Sequence, residues 1–242
     1  MRNIDVCLSP ELLELYPVEG KVVVVVDILR ATSCMTTAMA HGASEIIPVS
    51  ELDECKELKE KGFLAAAERN GEKVEGFDFG NSPFSYMSDE IKNSQIAITT
   101  TNGTISINKA KAAKEVIIGS FLNKAAVAKY LSDQPDDVLI LCAGWKGRIN
   151  LEDTLFAGSL IEELKNCYSL EHDGSIVAHS IYVNAGKDKL SFLSNCSHFR
   201  RLEKLNIQKD IEFCMREDVY DVIPVLDGNR LVRMEFEKAK SA

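Results

Sequence analysis

Three stretches of this chain set acidic side chains close to an arginine: Asp27 with Arg30, Glu68 with Arg69, and Arg148 followed by Glu152 and Asp153. Carboxylates are hard oxygen ligands suited to Mg²⁺, an ion that keeps several waters and typically holds a substrate phosphate. Guanidinium groups bind phosphate or carboxylate through two parallel hydrogen bonds. Each stretch therefore offers a cation ligand beside an anion ligand. A fourth stretch, Thr99-Thr100-Thr101-Asn102-Gly103-Thr104, brings hydroxyls, an amide and a glycine to a helix start, where they would donate to an oxyanion without bulk. His172, His179 and His198 are isolated, and the seven cysteines contain no Cys-x-x-Cys pair. Zinc chemistry is not expected, and these histidines read as surface or satisfied core residues.

These residues need elements to hold them. Five consecutive valines at 22–26 lack polar alternation, as expected of a strand covered on both faces in a parallel sheet. Asp27 then falls at its carboxyl end, the edge where open α/β sheets bind ligands. Thr32 or Ser33 would cap the following helix, over 34–41, with free N–H groups toward an anion. Further strands are expected at 3–8, 45–49, 63–67, 96–100, 115–119 and 138–142, with helices at 52–61, 105–113 and 121–131 and one opening near Leu151. This alternation predicts an α/β fold, a layered α/β/α arrangement with a largely parallel, mixed sheet. Two alternating runs, 220–226 and 230–236, flank Asp227-Gly228-Asn229 and predict a C-terminal β-hairpin that closes the sheet edge or meets a partner. A single domain over 1–242 is expected, with the chemistry-bearing part at 20–165 and a sub-lobe at 166–242, where chemistry looks sparse. If the strands are neighbours, Asp27, Glu68 and Glu152 or Asp153 meet in a bowl with Arg30, Arg69 and Arg148. The backbone amides of the turns at 101–104 and 143–147 add donors, including those of Gly144 and Gly147. Such a bowl suits a small, multiply anionic phosphate ester.

The composition narrows the partners. A net charge of −9 over 242 residues argues against a broad nucleic-acid surface, which needs clustered lysine and arginine. No apolar run reaches membrane-spanning length and none has the pattern of a secretion signal, so neither membrane nor export is expected. Dispersed cysteines, odd in number, fit reduced thiols in a cytoplasm. Association into a homo-oligomer is open, with the hairpin as a candidate edge.

Taken in order, Asp-Ile-Leu-Arg-Ala-Thr-Ser (27–33), Glu-Arg-Asn-Gly (68–71), Gly-Phe-Asp-Phe-Gly-Asn-Ser-Pro (76–83), Thr-Thr-Asn-Gly-Thr (100–104) and Ala-Gly-Trp-Lys-Gly-Arg with Leu-Glu-Asp (143–153) resemble the 2-phosphosulfolactate phosphatase family over roughly residues 20–165. The resemblance implies a Mg²⁺-dependent acid phosphatase of α/β fold that converts 2-phosphosulfolactate to sulfolactate in coenzyme M biosynthesis. Under that reading Asp27, Glu68 and Asp153 hold Mg²⁺, while Asp27, Arg30, Arg148 and Glu152 serve the chemistry. Thr32, Ser33, Arg69, Asn81, Thr101, Asn102, Gly103, Thr104, Gly144 and Gly147 bind substrate. Two other readings stay open. Cys142-x5-Arg148 has the spacing of a cysteine-dependent phosphatase, in which a helix start and Arg148 would lower the thiol pKa. The same bowl could also bind an organic anion without turnover.

Overall fold

In the computed structural model, which describes residues 2–235, the five valines form β2 (Val22–Val26), and all five are buried. Successive strand side chains leave opposite faces. Val22, Val24 and Val26 accordingly pack with Ile4, Ile140, Phe121 and Phe156, whereas Val23 and Val25 pack with Met35, Ile118 and Leu139. Both faces are apolar, which explains the unbroken run. Parallel neighbours flank it, β7 (Glu115–Gly119) on one side and β8 (Val138–Cys142) on the other.

The remaining strands are β1 (Arg2–Cys7), β3 (Glu45–Pro48), β4 (Leu64–Arg69), β5 (Glu72–Lys73), β6 (Gln95–Thr99), β9 (Tyr168–Ser169), β10 (Pro224–Asp227) and β11 (Arg230–Arg233). Their order is β5-β4-β6-β3-β11-β10-β7-β2-β8-β1-β9, parallel except at the pairs made by β5, β10 and β11. The expected hairpin is present, with Asp227 paired to Arg230. Its place differs from expectation: β10 pairs with β7 and β11 with β3, so the hairpin joins two parallel halves inside the sheet and is no free edge. Phe236, included in the expected second arm, lies outside the described residues.

Helices cover both faces. α1 (Ala31–Ala40) and α3 (Gly103–Lys109) contribute Met35 and Ile107 to one core. On the opposite face α4 (Lys124–Asp133), α5 (Leu151–Leu164) and α6 (Asp173–Ala185) contribute Val127, Leu155 and Ala178. That second core also takes Leu193 from α7 (Lys189–Leu193), Phe199 and Leu202 from α8 (Ser197–Glu203), and Ile211 from α9 (Gln208–Cys214). α2 (Leu52–Glu60) buries Cys55 and is otherwise solvated. Six strand steps separate β2 from β4 along the sheet, about 29 Å if the sheet were flat. The ends of these two strands nevertheless line one cleft, so the sheet curls around α1 and α3. Among the described residues no helix is long and apolar enough to cross a membrane.

Candidate active site

Asp27 follows β2 directly, and the turn after it is knitted from its own polar groups. The Asp27 N–H donates to Thr32 Oγ1 (3.1 Å), the Thr32 N–H to the Asp27 carbonyl (2.9 Å), and the Ser33 hydroxyl to the Ile28 carbonyl (2.9 Å). α1 begins at Ala31, earlier than expected, and has no side-chain cap. Thr32 and Ser33 are thus spent on shaping the turn and present no anion cradle. Asp153 completes the support: Oδ1 accepts the Ile28 N–H (2.8 Å) and Oδ2 the Gly144 N–H (3.1 Å). With both oxygens clamping backbone, Asp153 stands behind Asp27 and does not line the cleft.

Glu68, at the end of β4, is positioned in the same manner. It accepts from the Gly71 N–H, from the Thr101 N–H (3.2 Å) and from the Thr101 hydroxyl (3.1 Å). Thr104 donates its N–H to Thr100 Oγ1 (3.2 Å), and Asn102 Oδ1 accepts the Lys146 N–H (3.1 Å). The threonine run therefore orients a carboxylate, because its donors are committed within the protein. Gly103 has a steric reason: a Cβ there would lie 2.7 Å from Ala31 Cβ and 2.9 Å from Asp27 Oδ2.

Asp27 and Glu68 open into one cleft with Leu29, Arg30, Gly71, Asn81, Thr101, Asn102, Trp145, His198, Arg201 and Leu202. Its free volume is about 20 Å³, room for a single water. Arg30 is buried, ion-paired with Asp210 of α9, and donates Nη2 to the Gly71 carbonyl (2.7 Å). Ser82 donates to the other Asp210 oxygen (3.0 Å). Buried Asn81 Oδ1 has no partner among the described residues. From α8, Arg201 lies 4.6 Å above the Trp145 ring and donates to the Asn70 carbonyl (3.2 Å), while its Nε is unpartnered. His198 stacks on Trp145, at 6.1 Å between ring centres, and hydrogen-bonds Glu152 through Nδ1.

The other two expected arginines are elsewhere. Arg69 donates to the carbonyls of Glu68 (2.7 Å) and Ser50 (3.3 Å) and to Thr99 Oγ1 (3.0 Å), splinting strand ends outside the cleft. Arg148 is exposed, and its backbone pairs with Trp145 to close the loop. Gly144 (φ +58°) is required there, since a Cβ would strike the Arg148 carbonyl. Gly147 accepts the Ser9 hydroxyl through its carbonyl (2.9 Å). Neither glycine lines the cleft. Cys142 is wholly buried within β8, and burial pushes its thiol well above the ordinary range. Without a thiolate or a nearby Arg148 side chain, the cysteine-phosphatase arrangement is absent.

Burial pushes the Asp27 carboxyl up to about 6; Glu68 and Glu152 push the same way, and His198 opposes them. Asp153 is likewise raised, by burial and then by Asp27 and Glu152. The cleft thus crowds acids on one wall and faces them with Arg30, Arg201 and His198. Sequence reasoning missed His198, Arg201 and Asp210. A signal existed: Ser-His-Phe-Arg-Arg at 197–201 sets His198 and Arg201 three residues apart, on one helical face.

A family model described as 2-phosphosulpholactate phosphatase matches residues 7–229. The chain belongs to this family. Relatives named probable 2-phosphosulfolactate phosphatase align over nearly their full length. The protein of Caldanaerobacter subterraneus subsp. tengcongensis is 43% identical over 218 residues, 88% of this chain and 90% of the relative. That of Thermotoga maritima is 40% identical over 233 residues, 96% and 99% of the two chains. The Clostridium novyi relative is 36% identical over 226 residues, 92% and 96%. Membership in the 2-phosphosulfolactate phosphatase family makes the protein an enzyme, a phosphoric monoester hydrolase, and sets aside the reading as a passive anion binder. The match reaches past the five motifs into α8 and α9, the segments that complete the cleft.

Proposed function

We propose that the protein is a Mg²⁺-dependent 2-phosphosulfolactate phosphatase that releases sulfolactate and phosphate, serves coenzyme M biosynthesis and works in the cytoplasm. The observation that carries this reading is the cleft itself, where Asp27 and Glu68 face two arginines at the carboxyl ends of parallel strands. The substrate would carry carboxylate, sulfonate and phosphate, and a cleft with Arg30, Arg201 and His198 matches that charge. Seven free cysteines fit a reducing compartment.

Among the described residues no three of His, Cys, Asp and Glu form a ready-made metal cluster. The donors present still fit Mg²⁺, which takes one or two carboxylates and completes its shell with water and substrate phosphate. Asp27, Glu68 and the unpartnered Asn81 Oδ1 would hold it, and a cation would offset the burial and, after it, the Glu68 and Glu152 charges that raise Asp27. Asp153 serves this set from behind by fixing the Ile28 and Gly144 amides. When bound, Mg²⁺ draws negative charge from the phosphoryl oxygens as the ester bond breaks. Arg30, fixed by Asp210 and the Gly71 carbonyl, is pre-aimed and loses little freedom on meeting an anion. Phosphate release from 2-phosphosulfolactate, present with Mg²⁺ and abolished by chelator, is the expected result. Failure to release phosphate from this or any phosphorylated hydroxy acid, with or without metal, refutes the reading.

A further inference from the structure

We propose that His198 is the general acid of the reaction, protonating the ester oxygen as it departs, with Glu152 as its positioning residue; this rests on the phosphatase reading. His198 is 7% exposed and Glu152 only 1%. Glu152 sits in the first turn of α5 and takes the His198 Nδ1. That bond fixes the orientation of the ring, leaving Nε2 for the cleft that His198 lines. Trp145 stacks on the ring and holds its plane.

The chemistry requires such a group. The alkoxide of an aliphatic hydroxy acid is a strong base, and charge gathers on it in the loose transition state of phosphoryl transfer. The other candidates in the cleft are poor acids or already committed. Arg30 and Arg201 do not release protons at neutral pH. The Thr101 hydroxyl is donated to Glu68, and Asp27 is wanted as an anion by the cation site. In the step, water oxygen bonds to phosphorus and the ester P–O pair passes to the ester oxygen, which takes the Nε2 proton. One water proton stays on the phosphate and the other restores the imidazolium through solvent. No further reactant is needed.

A purely structural dyad, tying α8 to α5, would weaken every substrate alike; an acid helps only where the leaving group needs a proton. The test compares 2-phosphosulfolactate, an alkyl ester, with 4-nitrophenyl phosphate, whose leaving group departs unaided, in the intact enzyme with Mg²⁺. His198→Gln is expected to lose about 100-fold more kcat on the alkyl than on the aryl ester. Glu152→Gln is expected to show the same asymmetry, about 10-fold, and supplies the comparison should the first variant fail to fold. Equal losses on both esters, or none, overturn the assignment while the phosphatase reading stands. Wild-type enzyme inactive on both esters overturns both.

Discussion

The two walls of the cleft are built in opposite ways. On one, Asp27 and Glu68 close buried parallel strands, and each is held by backbone amides or hydroxyls of its own turn or of another strand end, 3 to 33 residues away. On the other, His198, Arg201 and Asp210 come from short C-terminal helices and are held by partners 46 to 180 residues distant. The strand-end wall concentrates negative charge and the helical wall brings most of what answers it. Neither is a site alone: the first is a repulsive cluster, the second an arginine, a histidine and an aspartate with nothing to receive them.

Substitutions can break this division of labour. The largest effect is expected from Asp27→Asn, which should lower kcat/KM about 10³-fold while leaving the fold intact, as measured by phosphate release and by circular dichroism. Asp210→Leu tests the tie between the walls. It strands Arg30 in a buried setting, so denaturant unfolding should show a loss of about 3–5 kcal/mol; the double change with Arg30→Met should recover much of that stability but not the activity.

A smaller effect concerns pH. The Asp27 carboxyl sits at about 6 in the fold against an ordinary 3.8. A carboxyl whose folded pKa exceeds its unfolded one binds more protons when folded, so it subtracts stability as pH rises from about 4 through 6. The metal-free protein should therefore be less stable at pH 7.5 than at pH 5, by about 1–1.5 kcal/mol from this group. Mg²⁺ should restore more at the higher pH, and Asp27→Asn should shrink the difference. Carboxyls held low by lysines, such as Glu217 against Lys124 and Lys189 despite its burial, are ionised throughout that window and do not obscure it. The smallest effect belongs to Arg148→Ala, expected to change kcat/KM less than about 2-fold because an exposed side chain outside the cleft has little to lose.

The same division explains what could be read from the sequence. The valine run, the strand bounds at 115–119 and 138–142 and the helix opening at Leu151 follow from local patterns, and all appear. Asp27, Glu68 and Arg30 were legible because each lies in a short motif at a strand end, and Asn81 because it lies in the turn-rich loop at 76–83. Arg69 and Arg148 looked equivalent to Arg30 in sequence, but side-chain direction separates them, and direction is set by tertiary packing. His198 looked solitary because its partner is 46 residues away. The hairpin was visible as a hairpin, yet only its pairing with β7 on one side and β3 on the other makes its place internal.

With room for about one water beneath α8, the cleft holds its opposed groups close together, and α8 alone supplies both His198 and Arg201. A chain cut before residue 197 would keep Asp27 and Glu68 and lose two of the three groups set against them. The strand ends would then be a bare negative pocket, able to draw a cation but with only Arg30 left to meet an anion.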